Sequence, residues 1–320
     1  MKVIPWDGET ITKPGVYTGI PLDTYHQRLT LFDAPSVSKS SLKWIVPGHP
    51  GASPKAFWGR WAFNPHHVTP KTSDALDFGK ATHCLLLGDE AFDERFAIRP
   101  EKAPDGRAWN GNNGSCKEWL ADQASAGRTV ITAEQLERIK RMHADAAQND
   151  IVRAGILNGR IEHSMLAKDW KTGLWMRSRP DSIPFADGVF GDLKTTSKFD
   201  EDFLQRQCFD AGYYLQGAMT RMVCRELELP FETFVLVYVL ADDVPDTTHV
   251  ELRDEDLDLG ERAIRYALNT IRTGLDTGHW PGARLFRGGE SFLGMKPWDR
   301  DRLSRALDEA ENDNLMENAA

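Results

Sequence analysis

Two aspartates and a lysine carry the most legible chemistry in this chain. Asp181 closes the run Arg179-Pro180-Asp181, and Asp192 opens Asp192-Leu193-Lys194-Thr195-Thr196 eleven positions later. Carboxylates at the ends of adjacent strands can hold hard divalent cations. Two such cations ~4 Å apart clamp the attacking and leaving oxygens of a phosphodiester. A lysine beside them can orient the attacking water or stabilise charge that builds on the phosphate. Residues i and i+2 of an extended strand share a face, so Asp192 and Lys194 point the same way while Leu193 points into the core. The Leu193 carbonyl is then a further candidate metal ligand.

The triplet alone is weak evidence. An Asp-x-Lys is expected by chance about once in a chain of this composition, and a second copy, Asp169-Trp170-Lys171, is present. That copy runs into Thr172-Gly173 and reads as a hairpin turn. The Asp192 triplet lies on a strand candidate and follows Pro180-Asp181 by one strand-and-turn length. Behind it comes a helical run in which Tyr213 and Gln216, three apart, share a face.

Three strand candidates surround these residues: Arg160 to Ala167, Leu174 to Ile183, and Gly188 to Thr195. One long amphipathic helix is expected from about Glu201 to Leu227. Its buried face is read as Phe203, Leu204, Cys208, Ala211, Leu215, Ala218, Met219 and Met222. Phe231 to Leu240 is β-branched and aromatic, which predicts a central strand. Upstream, Asp74 to Leu87 is a helix candidate on which Leu76, Ala81, Cys84 and Leu85 keep helical spacing. His83 stands on it among apolar neighbours, where a satisfied core histidine is the ordinary reading and a metal ligand the alternative.

The rest of the chain reads as decoration. Residues 1–36 look like loops and short strands. The serines of Pro35 to Leu42 read as a helix N-cap, with a phosphate contact through Ser38 or Ser40 as the alternative. Ala56 to Trp61 mixes aromatics with Lys55 and Arg60 and is read as core rather than as a DNA-facing patch. Residues 100–128 look loop-like around Gly111-Asn112-Asn113-Gly114. Asp105, Arg107 and Lys117 there are read as solvated, although a DNA-facing loop would be sought at this place. Thr132 to Gln135 reads as a capping box that opens a helix to about Gln148. Asp254 to Thr277 gives a last long helix, ended by Trp280-Pro281-Gly282, and an acidic, helix-prone tail runs from Asp299. The layout is a single nuclease-like domain over 1–320. Residues 1–73 are N-terminal decoration and 74–240 a core with an insertion at about 100–150. Residues 241–298 are a C-terminal helix and extension, and 299–320 the tail.

Composition narrows the function classes. A net charge of −9 over 320 residues argues against a non-specific DNA-coating protein, so any DNA contact must come from gathered basic residues. Candidates are Arg107, Arg177, Arg179, Lys198 and Arg206. The four cysteines form no C-x-x-C pair, which argues against a zinc ribbon. With no apolar h-region at the start and no run near ~20 apolar residues, a soluble cytoplasmic protein is expected.

Arg179-Pro180-Asp181 followed by Asp192-Leu193-Lys194 resembles the PD-(D/E)XK nuclease superfamily, and within it the RecE-like exonucleases of the exonuclease VIII family. Further short matches run along most of the chain: Pro14-Gly15-Val16-Tyr17, Tyr25-His26, Ser38 to Leu42, Gly79 to His83, Glu162-His163-Ser164, Tyr213 to Gln216, and Trp280-Pro281. The resemblance implies an α/β, mixed-sheet αβββαβ core with added helices, the same order as read above. It implies metal binding by His83, Asp181, Asp192 and the Leu193 carbonyl. Lys194 would be the catalytic lysine, working with Asp181 and Asp192, and Glu162, Tyr213 and Gln216 would be supporting residues. It further implies magnesium, for which manganese substitutes, and 5′ to 3′ digestion of linear duplex DNA ends in recombination, leaving 3′ single-stranded tails. A single-strand annealing protein is the implied partner and a ring-shaped homo-oligomer the implied assembly. An endonuclease of DNA defence or processing and a non-catalytic DNA-end-binding protein are the competing readings. Some related nucleases carry an iron–sulfur cluster through C-terminal cysteines; no cysteine follows Cys224, so no cluster is expected.

Overall fold

The structure, a computed structural model, describes residues 2–69, 73–88, 92–283 and 294–317. Residues 284–293 of the expected C-terminal extension and the last three of the tail lie outside them. Met1–Gly282 form one compact unit and Ala283–Ala320 a second.

The N-terminal part supplies three short strands, β1 (Val3–Pro5), β2 (Gly15–Thr18) and β3 (Ser36–Ser38), and the helices α1 (Leu22–Gln27), α2 (Lys39–Leu42) and α3 (Pro54–Trp58). Helix α1 departs from the expectation of loops and strands only; it is too short to leave a periodic signal. The serines before Leu42 do cap a helix, the Ser38 N–H donating to Ser41 Oγ at 3.2 Å. Phe57 and Trp61 are buried, as the core reading of that aromatic run requires.

Helix α4 (Asp74–Leu86) follows, then α5 (Phe92–Arg95), β4 (Phe96–Ile98), α6 (Gly114–Ser125), β5 (Thr129–Ile131), α7 (Ala133–Ala146) and α8 (Asp150–Arg153). On α4, Ala81 and Cys84 are buried, whereas Leu76 is 55% exposed and does not join the apolar face. Helix α6 corrects the loop reading of 100–128. Asn113 caps it through Ser115 N–H, and only Cys116 and Gln123 are buried along it, so its apolar period is faint. The Thr132 capping box opens α7 as expected, with Thr132 Oγ1 accepting from Gln135 N–H at 3.0 Å.

The remaining strands are β6 (Arg160–Ile161), β7 (Ser164–Lys168), β8 (Trp175–Ser178), β9 (Ser182–Ile183), β10 (Val189–Thr196), β11 (Thr233–Leu240) and β12 (Thr247–Glu251). They make two five-stranded mixed sheets, ordered β1-β2-β7-β8-β3 and β12-β11-β10-β9-β6. The expected first two core strands are therefore each broken in two. β7 and β8 pair in one sheet, and their continuations β6 and β9 pair in the other. The break falls at Glu162-His163 on one strand and Arg179-Pro180-Asp181 on the other. Glu162 adopts φ +59°, a conformation most side chains avoid, and so turns the chain between sheets.

The second sheet is covered on both faces. Leu193, Val235, Val237 and Val239 pack with Met142 and Ala146 of α7. Phe190, Leu236 and Tyr238 pack on the opposite side with Leu215, Ala218 and Met219. This explains why Phe231–Leu240 reads as continuously apolar: a strand buried on both faces has no polar alternation. The long helix expected from 201 to 227 is two helices, α9 (Glu201–Asp210) and α10 (Tyr213–Glu226). Gly212 separates them at φ +71°, the left-handed conformation glycine adopts without a Cβ clash. Phe203 and Leu204 of α9 are only half-buried, whereas most of α10 is core. Helix α11 (Asp254–Thr277) packs on α10, and α12 (Pro297–Glu317) is the described element of the second unit.

Candidate active site

The site forms where the broken hairpin passes from one sheet to the other. Strand β10 carries Asp192 and Lys194 on its α10 face, and Leu193 on the other face is fully buried. Lys194 Nζ contacts Asp192 Oδ2 directly. From α10, Gln216 Nε2 donates to Asp192 Oδ1 at 2.5 Å and Gln216 Oε1 accepts from Lys194 Nζ at 3.4 Å. Tyr213, at the first position of α10, lays its ring 4.9 Å from the Lys194 ammonium. The break at Gly212 thus aims Tyr213 and Gln216, one turn apart, at the same pair of charges.

Asp181 sits at the hairpin break. Its Oδ2 accepts the Leu193 N–H at 2.7 Å and lies 3.4 Å from His83 Nδ1. Close approach of the backbone is built in beside it, since a Cβ on Gly191 would stand 2.5 Å from the Ile156 carbonyl oxygen. A side chain there would push Asp192 out of register.

The charges are strongly coupled. Burial and the neighbouring Asp181 carboxylate raise the pKa of Asp192, although Lys194 opposes this. Burial would also raise Asp181, but His83, Lys194 and the Leu193 N–H outweigh it and hold its carboxyl below the usual range. Burial works against a charge on His83, and Asp181 overcomes it and raises the imidazole. Lys194 is likewise disfavoured by burial and raised by the two carboxylates, so it stays an ammonium.

His83, Asp181, Lys194, Tyr213 and Gln216 line a cavity of about 1010 Å³, and the buried Asp192 does not reach its wall. Glu162, Ser38, Ser40, Arg177 and Arg179 of the sequence candidates also line it. Glu162 is ion-paired with Arg179. Arg107, Lys198 and Arg206 do not line it. Arg107 is exposed beside Asp105, Lys198 lies over the Phe203 ring, and Arg206 is exposed with its Nε on the Asp202 carbonyl. Sequence reasoning left out Lys39, which lines the cavity. One signal was available: a lysine at the first position of a helix opposes the helix dipole and needs another reason to be there.

A family model described as a PDDEXK-like domain of unknown function (DUF3799) matches residues 58–284. The chain belongs to this family. Its mixed α/β fold and its Pro180-Asp181…Asp192-Leu193-Lys194 residues make it a PD-(D/E)XK-type nuclease domain. The DUF3799 chain is also similar to the crystal structure of a putative exonuclease from Eubacterium rectale. The TM-score is 0.51 at 14% identity, covering 82% of this chain and 90% of that one, a likeness of fold. A comparison with curated proteins finds no match.

Nucleases of this class typically use divalent metal ions. The donor set here is chemically suited to one: two crowded carboxylates, of which Asp192 is raised by burial and then by Asp181 despite Lys194 and His83, offer hard oxygen donors where added positive charge is favoured. Among the described residues no three His, Cys, Asp or Glu side chains stand in a metal-holding arrangement. Asp192 is instead engaged by Lys194 and Gln216, and Asp181 by the Leu193 N–H. No helix of the described residues is long and apolar enough to cross a membrane. Cys84, Cys116, Cys208 and Cys224 form no disulfide.

Proposed function

We propose that this DUF3799 protein is a metal-dependent exodeoxyribonuclease that hydrolyses linear double-stranded DNA from its ends. One observation carries the reading: Lys194 and Gln216, both bonded to the buried Asp192, meet Asp181 at the seam of two sheets and with it line a cavity whose other walls bring Arg177, Arg179 and Lys39. Magnesium is the proposed ion, with manganese substituting, held by Asp181, Asp192, His83 and the Leu193 carbonyl. When bound it would polarise the phosphate and lower the pKa of an attacking water. Lys194 remains protonated beside Asp192, so its role is to donate to the phosphate or to the water and stabilise developing charge. Gln216 orients Asp192 and Lys194, and Tyr213 walls the lysine from solvent. Glu162 positions Arg179 toward the phosphate chain.

The narrower kinship to RecE-like exonucleases rests on the sequence motifs. It supports 5′ to 3′ digestion in recombination with an annealing partner, and a ring-shaped homo-oligomer. The test is digestion of linear duplex carrying separate 5′ and 3′ labels in magnesium, with closed circular DNA alongside. Early loss of the 5′ label and an intact circle are expected; a cut circle would make the protein an endonuclease instead.

A further inference from the structure

Several enclosed cations among the described residues have a carboxylate in reach. Lys194 has Asp192, Arg179 has Glu162, Arg221 has Glu261 and Arg265 has Asp169. Lys39 and Arg177 line the same cavity and have no carboxylate at ion-pair distance among the described residues. Arg177 donates one N–H to the Tyr25 carbonyl and lays its guanidinium 4.9 Å from the Tyr25 ring, while its Nε has no partner. The Lys39 ammonium makes one long bond, 3.5 Å to the Ala211 carbonyl, and lies 5.1 Å from the Tyr213 ring centroid. Their backbones are neighbours. Ser38 of β3 is in register with Arg177 of β8, and Lys39 is the next residue on.

Enclosed basic groups without a paired carboxylate are unfavourable as cations unless an anion completes them, and such an anion would hold Lys39 in its charged form. Tyr25 fixes the arginine fork, and the fork's remaining donors match oxygens of a phosphate. Lys194 and Lys39 both rest against the Tyr213 ring, at 4.9 and 5.1 Å. A strand whose scissile phosphate meets Lys194 therefore carries a neighbouring phosphate toward Lys39. We propose that Lys39 and Arg177 form an anion subsite for a DNA phosphate adjacent to the one being cleaved. Naming DNA as its source rests on the nuclease reading above; the anion site itself does not.

The test has two readouts, applied to wild type, Lys39→Met, Arg177→Met and the double variant. In thermal unfolding, inorganic phosphate should raise the wild-type melting temperature beyond chloride at equal ionic strength. The double variant should lose that excess, and without phosphate it should melt no lower than wild type. In magnesium, KM for linear duplex should rise about tenfold for each single variant, the loss of one charge-assisted contact, with a smaller fall in kcat. Arg177→Lys should recover part of the KM. Duplexes with 5′-phosphate and 5′-hydroxyl ends distinguish the sources: a KM effect confined to phosphorylated ends means a terminal phosphate, and an equal effect means an internal diester. A double variant that keeps the phosphate-specific rise, or single variants with wild-type KM, overturns the subsite. A wild type that hydrolyses no DNA but shows the rise, lost in the double variant, sinks the nuclease reading and leaves the subsite standing.

Discussion

The chain contains two Asp-x-Lys triplets, and the fold puts them to opposite uses. Asp169-Trp170-Lys171 lies in the β7–β8 turn. Its aspartate is fully buried, accepting the Thr172 N–H at 2.9 Å and the Thr172 hydroxyl at 2.5 Å and pairing with Arg265 at 2.8 Å. Its lysine is exposed and its tryptophan is 79% exposed. Asp192-Leu193-Lys194 lies on a strand. There the two-residue period turns both charges to one face, so the lysine lands on the aspartate while the residue between them enters the core. Composition is identical at the ends of both triplets. The backbone conformation decides whether the lysine meets its aspartate, and the second aspartate 11 positions upstream of Asp192 brings another carboxylate to that triplet through the Leu193 N–H.

The contrast can be broken at several points. Lys194→Ala should lower kcat on linear duplex by about 10²–10³-fold, as for loss of one positioned donor in a transition state. Asp169→Ala should cost ~3 kcal/mol in chemical denaturation, since it strips a turn of its bonds and Arg265 of its partner, while the folded fraction keeps wild-type kcat. An Asp169→Ala protein that is stable but inactive would erase the distinction. Gly191→Ala should cost ~1–3 kcal/mol through its clash with the Ile156 carbonyl and lower activity along with stability.

A smaller effect separates Lys194, paired, from Lys39, unpaired. Burial and the nearby Lys194 bring the Lys39 pKa from 10.5 down to about 7. Between those values the unfolded chain holds a proton that the folded chain has shed. Stability through this group therefore rises with pH across that window and is lost as pH falls to 7. Lys39→Met should raise the melting temperature at pH 7 and below, with the gain fading toward pH 10.5; equal melting curves for both proteins at pH 7 would contradict this. Lys171→Ala should change stability by no more than ~0.5 kcal/mol, as for an exposed side chain with no partner to lose.

Residue type and period made much of this site legible. The 3.6-residue spacing put Tyr213 and Gln216 together, the two-residue spacing put Asp192 with Lys194, and the helix around His83 was readable from Ala81 and Cys84. The limits of α11 were also plain, because Asp254 to Thr277 combines an acidic start with a sustained apolar stripe. What stayed hidden had weak or misleading local signals. The apolar period runs unbroken across Ala211-Gly212, so the helix break rests on one backbone angle. The split of the hairpin between two sheets rests on Glu162, a residue with no propensity for its conformation. Helix α6 buries too little to show a period. Arg107, Lys198 and Arg206 could not be placed, because a surface charge carries no information about which cavity it faces.

The central claim is that Asp181, Asp192 and Lys194 form a phosphodiesterase centre, and that the Asp169 triplet does not. The most direct measurement is release of nucleotides from linear duplex DNA in magnesium by wild type, Lys194→Ala and Lys171→Ala side by side. Wild type and Lys171→Ala should digest at equal rates and stop when the metal is chelated, and Lys194→Ala should be slower by at least about a hundredfold. Digestion by Lys194→Ala at the wild-type rate, or an equal loss in both variants, would contradict the account.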